Sequence, residues 1–192
     1  LMQPYPVYDL NTYRNQWNRN EEFLYFEWKG NSLIVDEPHV HDFFMLLLLK
    51  TSNGHHSIDF VNHKSKGCQL HILFPGQVHC WQLAADTIAH QLMISKSTFG
   101  MIASAFRFNI VVYEKHPVIP LSKAEYNKLL YEFKNIKLEL AAKPILWEGV
   151  FARARLIALA ASRKLETLFK DRQVLTTSTV LFGYINLVDL HF

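Results

Sequence analysis

His39-Val40-His41 sets two imidazoles at positions i and i+2. On a strand such residues point to the same face, so both rings would enter one side of a sheet. Pro75-Gly76-Gln77-Val78-His79 offers a third imidazole where a Pro-Gly turn opens a strand, and Trp81 follows two residues later on the face of His79. Three imidazoles with an open position would suit zinc, iron or another divalent metal, the layout of a catalytic centre. The same rings can instead hydrogen-bond a small molecule, since a neutral imidazole has one donor and one acceptor nitrogen. Together with Phe43, Phe60 and Gln77, the residues His39, His41, His79 and Trp81 would give the apolar walls and few polar groups typical of a ligand pocket. Asp42 and Asp59 lie nearby, but no Ser, Cys or Lys stands beside them in a nucleophile arrangement, and no glycine-rich phosphate loop occurs. Hydrolase and nucleotide chemistry find no support.

These residues need a scaffold, and from Phe23 to about Pro117 the chain supplies short apolar segments. They run over residues 23–28, 33–35, 43–49, 57–61, 70–74, 81–84 and 88–95, separated by Gly30-Asn31, Ser52-Asn53-Gly54, Gly67 and Pro75-Gly76. Many short strands at close spacing predict a β-sandwich or barrel. Residues 43–49, Phe-Phe-Met-Leu-Leu-Leu-Leu, do not alternate, so both faces of that strand should be covered, one by the barrel interior and one by a helical layer. Trp81, Phe43, Phe60 and Phe74 would fill the interior. The remaining histidines singled out, His55, His56, His63, His90, His116 and His191, read as structural residues on loops or strand ends.

The helical layer follows Pro120. Ser122-Lys123-Ala124-Glu125 is a capping box, and Tyr126, Leu129, Leu130, Phe133, Ile136 and Leu140 then recur at helical spacing until Lys143-Pro144 stops the run. A second helix is marked by Trp147, Val150, Ala154, Ile157, Ala161, Leu165 and Leu168. Its apolar surface, widened by Leu146, Phe151, Leu156 and Leu159, suggests two contacts, the barrel and a second subunit, with Val150, Ala154, Ile157, Ala161 and Leu165 as the expected dimer seam. Leu181, Tyr184, Ile185, Val188 and Phe192 begin a third amphipathic pattern.

Composition bounds the function. The chain has 192 residues, 49% hydrophobic and 14% aromatic, which is material for one compact domain. Its 20 basic and 17 acidic residues leave a net charge of +3, too mild an excess to mark a nucleic-acid binder, and Arg153, Arg155, Arg163 and Lys164 read as a solvated helix face. The longest apolar run falls well short of the roughly 20 residues that cross a bilayer. Residues 1–6 lack the pattern of a secretion signal, so a cytoplasmic location is expected, and Cys68 and Cys80 read as reduced thiols.

The stretches His39-Val40-His41-Asp42-Phe43-Phe44, the Gly54 turn, Ile58-Asp59-Phe60 and Phe74-Pro75-Gly76-Gln77-Val78-His79-Cys80-Trp81 together resemble the cupin-type sensor domain of AraC-family bacterial transcription regulators. The likeness covers about residues 33 to 99 by motif and the chain to residue 192 by layout, its last nine residues resembling the lead into that family's DNA-binding region. It implies a fold that is mainly β with α, a cupin-like jelly-roll β-barrel followed by an antiparallel helical dimerisation segment. Residues 1–20 would be an N-terminal arm, 21–118 the effector-binding barrel, and 121–192 the dimerisation region leading to a helix-turn-helix domain that this sequence lacks. The implied function is to bind a small-molecule effector, without catalysis or a cofactor, and to relay its presence to DNA through a homodimer.

One departure bears on the metal question. Metal-binding cupins usually carry a Glu after three or four residues beyond the second His, where this chain has Met45 or Leu46, and Leu83 stands where the second motif often has a polar residue. No metal is therefore expected; if one binds, its ligands would be His39, His41 and His79. A metal-dependent cupin enzyme, a dioxygenase or isomerase, is the alternative reading, and a purely structural dimeric module is a third.

Overall fold

The computed structural model describes residues 5–14, 20–30 and 33–171. The third amphipathic pattern, residues 181–192, lies outside the described residues. In chain order the elements are β1 (Val7–Tyr8), α1 (Leu10–Tyr13), β2 (Phe23–Lys29), β3 (Leu33–His41), β4 (Phe44–Thr51), β5 (Gly54–Ile58), β6 (Val61–Ser65), β7 (Gln69–Leu73), β8 (Val78–Leu83), β9 (Ile88–Ile94), α2 (Lys96–Ala103), α3 (Ile110–Lys115), β10 (Val118–Pro120), α4 (Lys123–Ala141) and α5 (Trp147–Asp171).

Strands β2 to β9 pair as nested antiparallel partners, β2 with β9, β3 with β8, β4 with β7 and β5 with β6. Such nesting is one long hairpin rolled on itself, and alternate pairs fall into opposite sheets, which is jelly-roll topology. One sheet has the order β1-β3-β8-β5-β6 and the other β10-β7-β4-β9-β2. They face each other as a sandwich and, among the described residues, do not join in one hydrogen-bonded ring. Strand β4 shows why the chain folds this way. Met45, Leu47 and Leu49 point between the sheets, into a core with Leu24, Leu73, Leu83 and Met93. Phe44, Leu46 and Leu48 point the other way, into a core closed by α4 and α5. Every apolar side chain of β4 is thus buried, each contributing about 1.5–3 kcal/mol.

The capping box forms as its residues predict: Ser122 Oγ accepts from Glu125 N–H, and the Glu125 carboxylate accepts from Ser122 N–H. Tyr126, Leu129, Phe133 and Ile136 of α4 face the sheet. Lys164 and Arg153 of α5 pair with Glu125 and Glu132 of α4 across the helix pair.

Several expectations are corrected. Val150, Ala154, Ile157, Ala161 and Leu165 are fully buried within the chain, in the core shared with α4 and the outer face of β4, and so are not free to form a dimer seam. The stripe is a buried face whose cover is this chain's own sheet and helix. Phe60 is 72% exposed at the tip of the β5–β6 hairpin and fills no interior. Ser57–Val61 is not a strand either. Ile58 pairs with Val61 across a two-residue turn, Asp59 and Phe60, both with positive φ (48° and 66°). The segment after β9, placed within the barrel region from the sequence, folds into α2 and α3, capped by Ser95 and Asn109. Cys68 and Cys80 are unpaired thiols.

Candidate ligand-binding site

Five buried imidazoles lie inside the sandwich. His39 and His41 come from β3, His79 from β8, His56 from β5 and His71 from β7. His39 and His79 are directly opposed across the β3–β8 pair. Their alignment depends on an irregularity between Val35 and His39, where residues 36–38 are looped into the strand and Pro38, which cannot donate to a ladder, is accommodated. The loop also supplies the carbonyl of Glu37, 3.0 Å from His39 Nδ1, so His39 Nδ1–H donates there and its Nε2 is left as a lone pair.

One nitrogen each of His39, His41 and His79 lies within 4.8 Å of the others. The His41 Nε2 to His79 Nε2 distance is 3.4 Å, about the edge of a tetrahedron with metal–nitrogen bonds of about 2.05 Å. The donor set, three imidazoles of which at least one is oriented by an outer hydrogen bond, therefore fits a divalent transition metal. Among the described residues, none of the buried polar side chains is Asp, Glu, Lys or Arg. Met45, at the position where cupins place an acid, points between the sheets and receives Gln91 Nε2–H on its sulfur, while Leu46 faces the helices.

Two histidines missed in the sequence extend the triad. His56 Nε2 is 3.1 Å from His79 Nδ1, and His56 Nδ1 is 2.8 Å from His71 Nδ1. His71 Nε2 in turn lies 3.3 Å from Gln69 Oε1. The signal for His71 was present, since Gln69, His71 and Leu73 alternate with Leu70 and Ile72. For His56 it was hidden, because the displaced strand boundary left the residue on a loop. Burial pushes the imidazolium forms out: His41 and His71 are pushed down to about 3, with neighbouring histidines adding to the effect, and His56 and His79 fall well below their ordinary range for the same reasons.

The N-terminal arm packs over this cluster. β1 runs parallel to β3, with Val40 N–H donating to Pro6 O and Asp42 N–H to Tyr8 O. Leu10 is buried in the inter-sheet core. The Tyr8 ring lies 5.2 Å from that of His39, and the Tyr13 ring meets both His41 and Phe43 edge-on. Tyr13 Oη is 3.1 Å from His41 Nε2, and burial raises its phenol to about 12, so it keeps its proton.

Of the predicted ligand-binding residues, the fold brings together His39, His41, Phe43, His79 and Trp81. Phe43 stacks on His41 at 4.3 Å, and Trp81 lies edge-on to His56 and His79 with its indole N–H unpartnered among the described residues. Phe60 is on the outside. Gln77 is buried but committed elsewhere: its carbonyl accepts from Phe74 N–H and its amide donates to Asp59 Oδ2, bracing the Pro75-Gly76 turn.

Fold and site together define a cupin-like jelly-roll with a buried histidine cluster under an N-terminal arm. No family model matches the chain, and no curated protein does. Among solved structures it is similar to the AraC-like transcriptional activator CuxR (12% identity, TM-score 0.45, covering 76% of this chain and 49% of that one). It is similar also to apo ToxT K231A from Vibrio cholerae strain SCE256 (10% identity, TM-score 0.49, 80% and 58%). A third likeness is to oxalate decarboxylase from Bacillus subtilis (12% identity, TM-score 0.32, 55% and 30%). The chain thus spans about half the length of the two regulators. None of these likenesses assigns a role to a residue here. Among the described residues no helix is long and apolar enough to cross a membrane.

Proposed function

We propose that the chain is the effector-sensing portion of an AraC-like transcription regulator, cytoplasmic, homodimeric through its helices, and acting on DNA only through an attached reader domain. The observation that carries this reading is the contact between Tyr13 of the arm and His41 of the chamber. Tyr13 Oη lies nearer to His41 Nε2 than His79 Nε2 does, so the arm's hydroxyl is the nearest hydrogen-bond partner of that ring nitrogen. An occupant that takes this nitrogen competes with the arm for it. Binding in the chamber and docking of the arm then share one free-energy cycle, which is what a sensor requires. The unpartnered Trp81 indole N–H supports the same reading, since it offers a donor to an incoming acceptor. A histidine cluster with no buried formal charge around it favours a neutral effector, or one that brings a cation with it.

The three convergent imidazoles favour a second reading, a metal-dependent cupin enzyme. A metal held by His39, His41 and His79 would supply Lewis acidity. No carboxylate faces it from the usual acidic position, and the Met45 thioether there is a poor ligand for a hard ion. We therefore rank the sensor first. Elemental analysis and thermal shift of the purified chain separate the two. The sensor reading expects protein without stoichiometric metal whose melting temperature rises by a few degrees with an effector at about 100 times its Kd. Stoichiometric iron or zinc that is lost on His41→Ala, together with turnover, would overturn it.

A further inference from the structure

We propose that Gln69, His71 and His56 act as a directional hydrogen-bond relay that fixes the proton of His79 on Nδ1 and so presents its Nε2 lone pair to the occupant of the triad. The geometry points to this from one end. Lys66 N–H donates to Gln69 Oε1 at 2.7 Å, while Gln69 Nε2 faces Lys64 O at 3.4 Å, so the amide can be oriented only with its oxygen as acceptor. His71 Nε2, 3.3 Å from that oxygen, must carry a proton, and a neutral imidazole has only one.

The remaining assignments follow link by link. His71 Nδ1 is a lone pair, so His56 Nδ1, 2.8 Å away, carries the proton between them. His56 Nε2 is then a lone pair and receives His79 Nδ1–H at 3.1 Å. His79 Nε2 is left as a lone pair facing His41. His39 reaches the same state by a separate route, through Glu37 O. His39 and His79 therefore meet the occupant with acceptors, and the polarity of His79 is set by a backbone amide in the turn before β7, across the sandwich from the arm. Gln69, His71 and His56 are positioning residues, acting through His79. The proposal rests on the triad being the binding site, but its first test is independent of binding.

That test is nitrogen-15 correlation spectroscopy of the histidines in the metal-free chain near neutral pH, which reads directly which ring nitrogen is protonated. The expected pattern is Nε2–H for His71 and Nδ1–H for His56, His79 and His39. Gln69→Leu should mix or reverse the tautomers of His71, His56 and His79 while leaving His39 unchanged, and Gln69→Glu, which keeps an acceptor, should preserve the pattern. Amide spectra of each variant establish that it is folded; if Gln69→Leu does not fold, His71→Gln replaces it, and its carbonyl should still hold the His56 proton on Nδ1. The second readout is Co2+ affinity, followed by its visible absorption, which should fall about 10-fold or more in Gln69→Leu and recover in Gln69→Glu. A wild-type His79 protonated at Nε2, or identical tautomers in wild type and Gln69→Leu, would overturn the relay. If the tautomers are as assigned and Co2+ does not bind, the relay stands and it is the triad as a metal-accepting site that fails.

Discussion

Tyr13 and His41 are 28 positions apart in the chain, yet the hydroxyl of one lies 3.1 Å from Nε2 of the other. Between them they join a segment of the arm that enters the inter-sheet core to the strand that contributes two members of the histidine triad. The bond is partly buried and neutral, so its loss should cost about 1 kcal/mol. The Tyr13→Phe variant keeps the ring contacts with His41 and Phe43 and removes only the hydroxyl. Hydrogen exchange at the amides of Val40 and Asp42, which are bonded to Pro6 and Tyr8, should quicken several-fold, while amides in β8 keep their protection. Equal exchange in both proteins would show that arm docking does not depend on His41.

Acid should destabilise the fold through the histidines. His41 and His71 are held down at about 3 against an ordinary 6.5, and His56 and His79 are lowered in the same direction. In the unfolded chain each returns to its ordinary value. Above about pH 6.5 neither state takes up these protons, and their contribution is fully present. As pH falls from there toward about 3, the unfolded state binds protons that the folded state refuses, and stability is lost at about 1.4 kcal/mol per pH unit for each histidine involved. Urea unfolding between about pH 7 and about pH 4.5 should show this slope, made shallower by roughly one proton in His71→Leu. A midpoint flat over that range would contradict the buried, neutral assignment.

How much of this was legible beforehand follows from what each signal encodes. The unbroken apolar run of β4 announced that two faces would be covered, and the i, i+2 spacing of His39 and His41 announced a shared face; both are period-2 facts that survive any tertiary context. Asp59-Phe60 misled because Phe is a strand former, whereas here it occupies a positive-φ turn. Asp59 is held there by accepting from Val78 N–H and Gln77 Nε2, contacts from a distant strand that no local pattern contains. The same error put His56 on a loop. Ile110-Val111-Val112 is β-branched, which disfavours helix locally, yet it lies in α3, where the Asn109 cap and burial of Tyr113 set the short helix. On α5 the spacing showed which side is buried, but a stripe does not say whether a sheet or a second subunit covers it.

Gln77 and Phe60 give the control experiment for the chamber. In Gln77→Leu, Phe74 N–H loses its acceptor and Asp59 Oδ2 its donor, so stability should fall by about 1–3 kcal/mol in urea titrations. Effector affinity, measured under folded conditions, should be unchanged, because neither end of the amide reaches the histidines. Phe60→Ser, at an exposed tip, should move stability by no more than about 0.5 kcal/mol. A marked loss of affinity in either variant would return these residues to the site.

Neighbouring residues on α5 make the last prediction, about the subunit contact. Ile157 is fully buried against the sheet, whereas Leu156 is 50% exposed beside Leu159 and Leu121 in a groove between α4 and α5. Tyr131 and Leu138, one heptad apart on α4, are also exposed. If the helices pair two copies, the seam must use this outer surface. Ile157→Asp would bury a charge without a partner and should cost more than about 4 kcal/mol, unfolding the chain rather than separating subunits. Leu156→Asp should leave the circular dichroism and melting of the monomer intact and shift the sedimentation coefficient from dimer to monomer. A folded monomeric Ile157→Asp, or a Leu156→Asp and Leu138→Asp double variant that sediments as a dimer, would place the contact elsewhere.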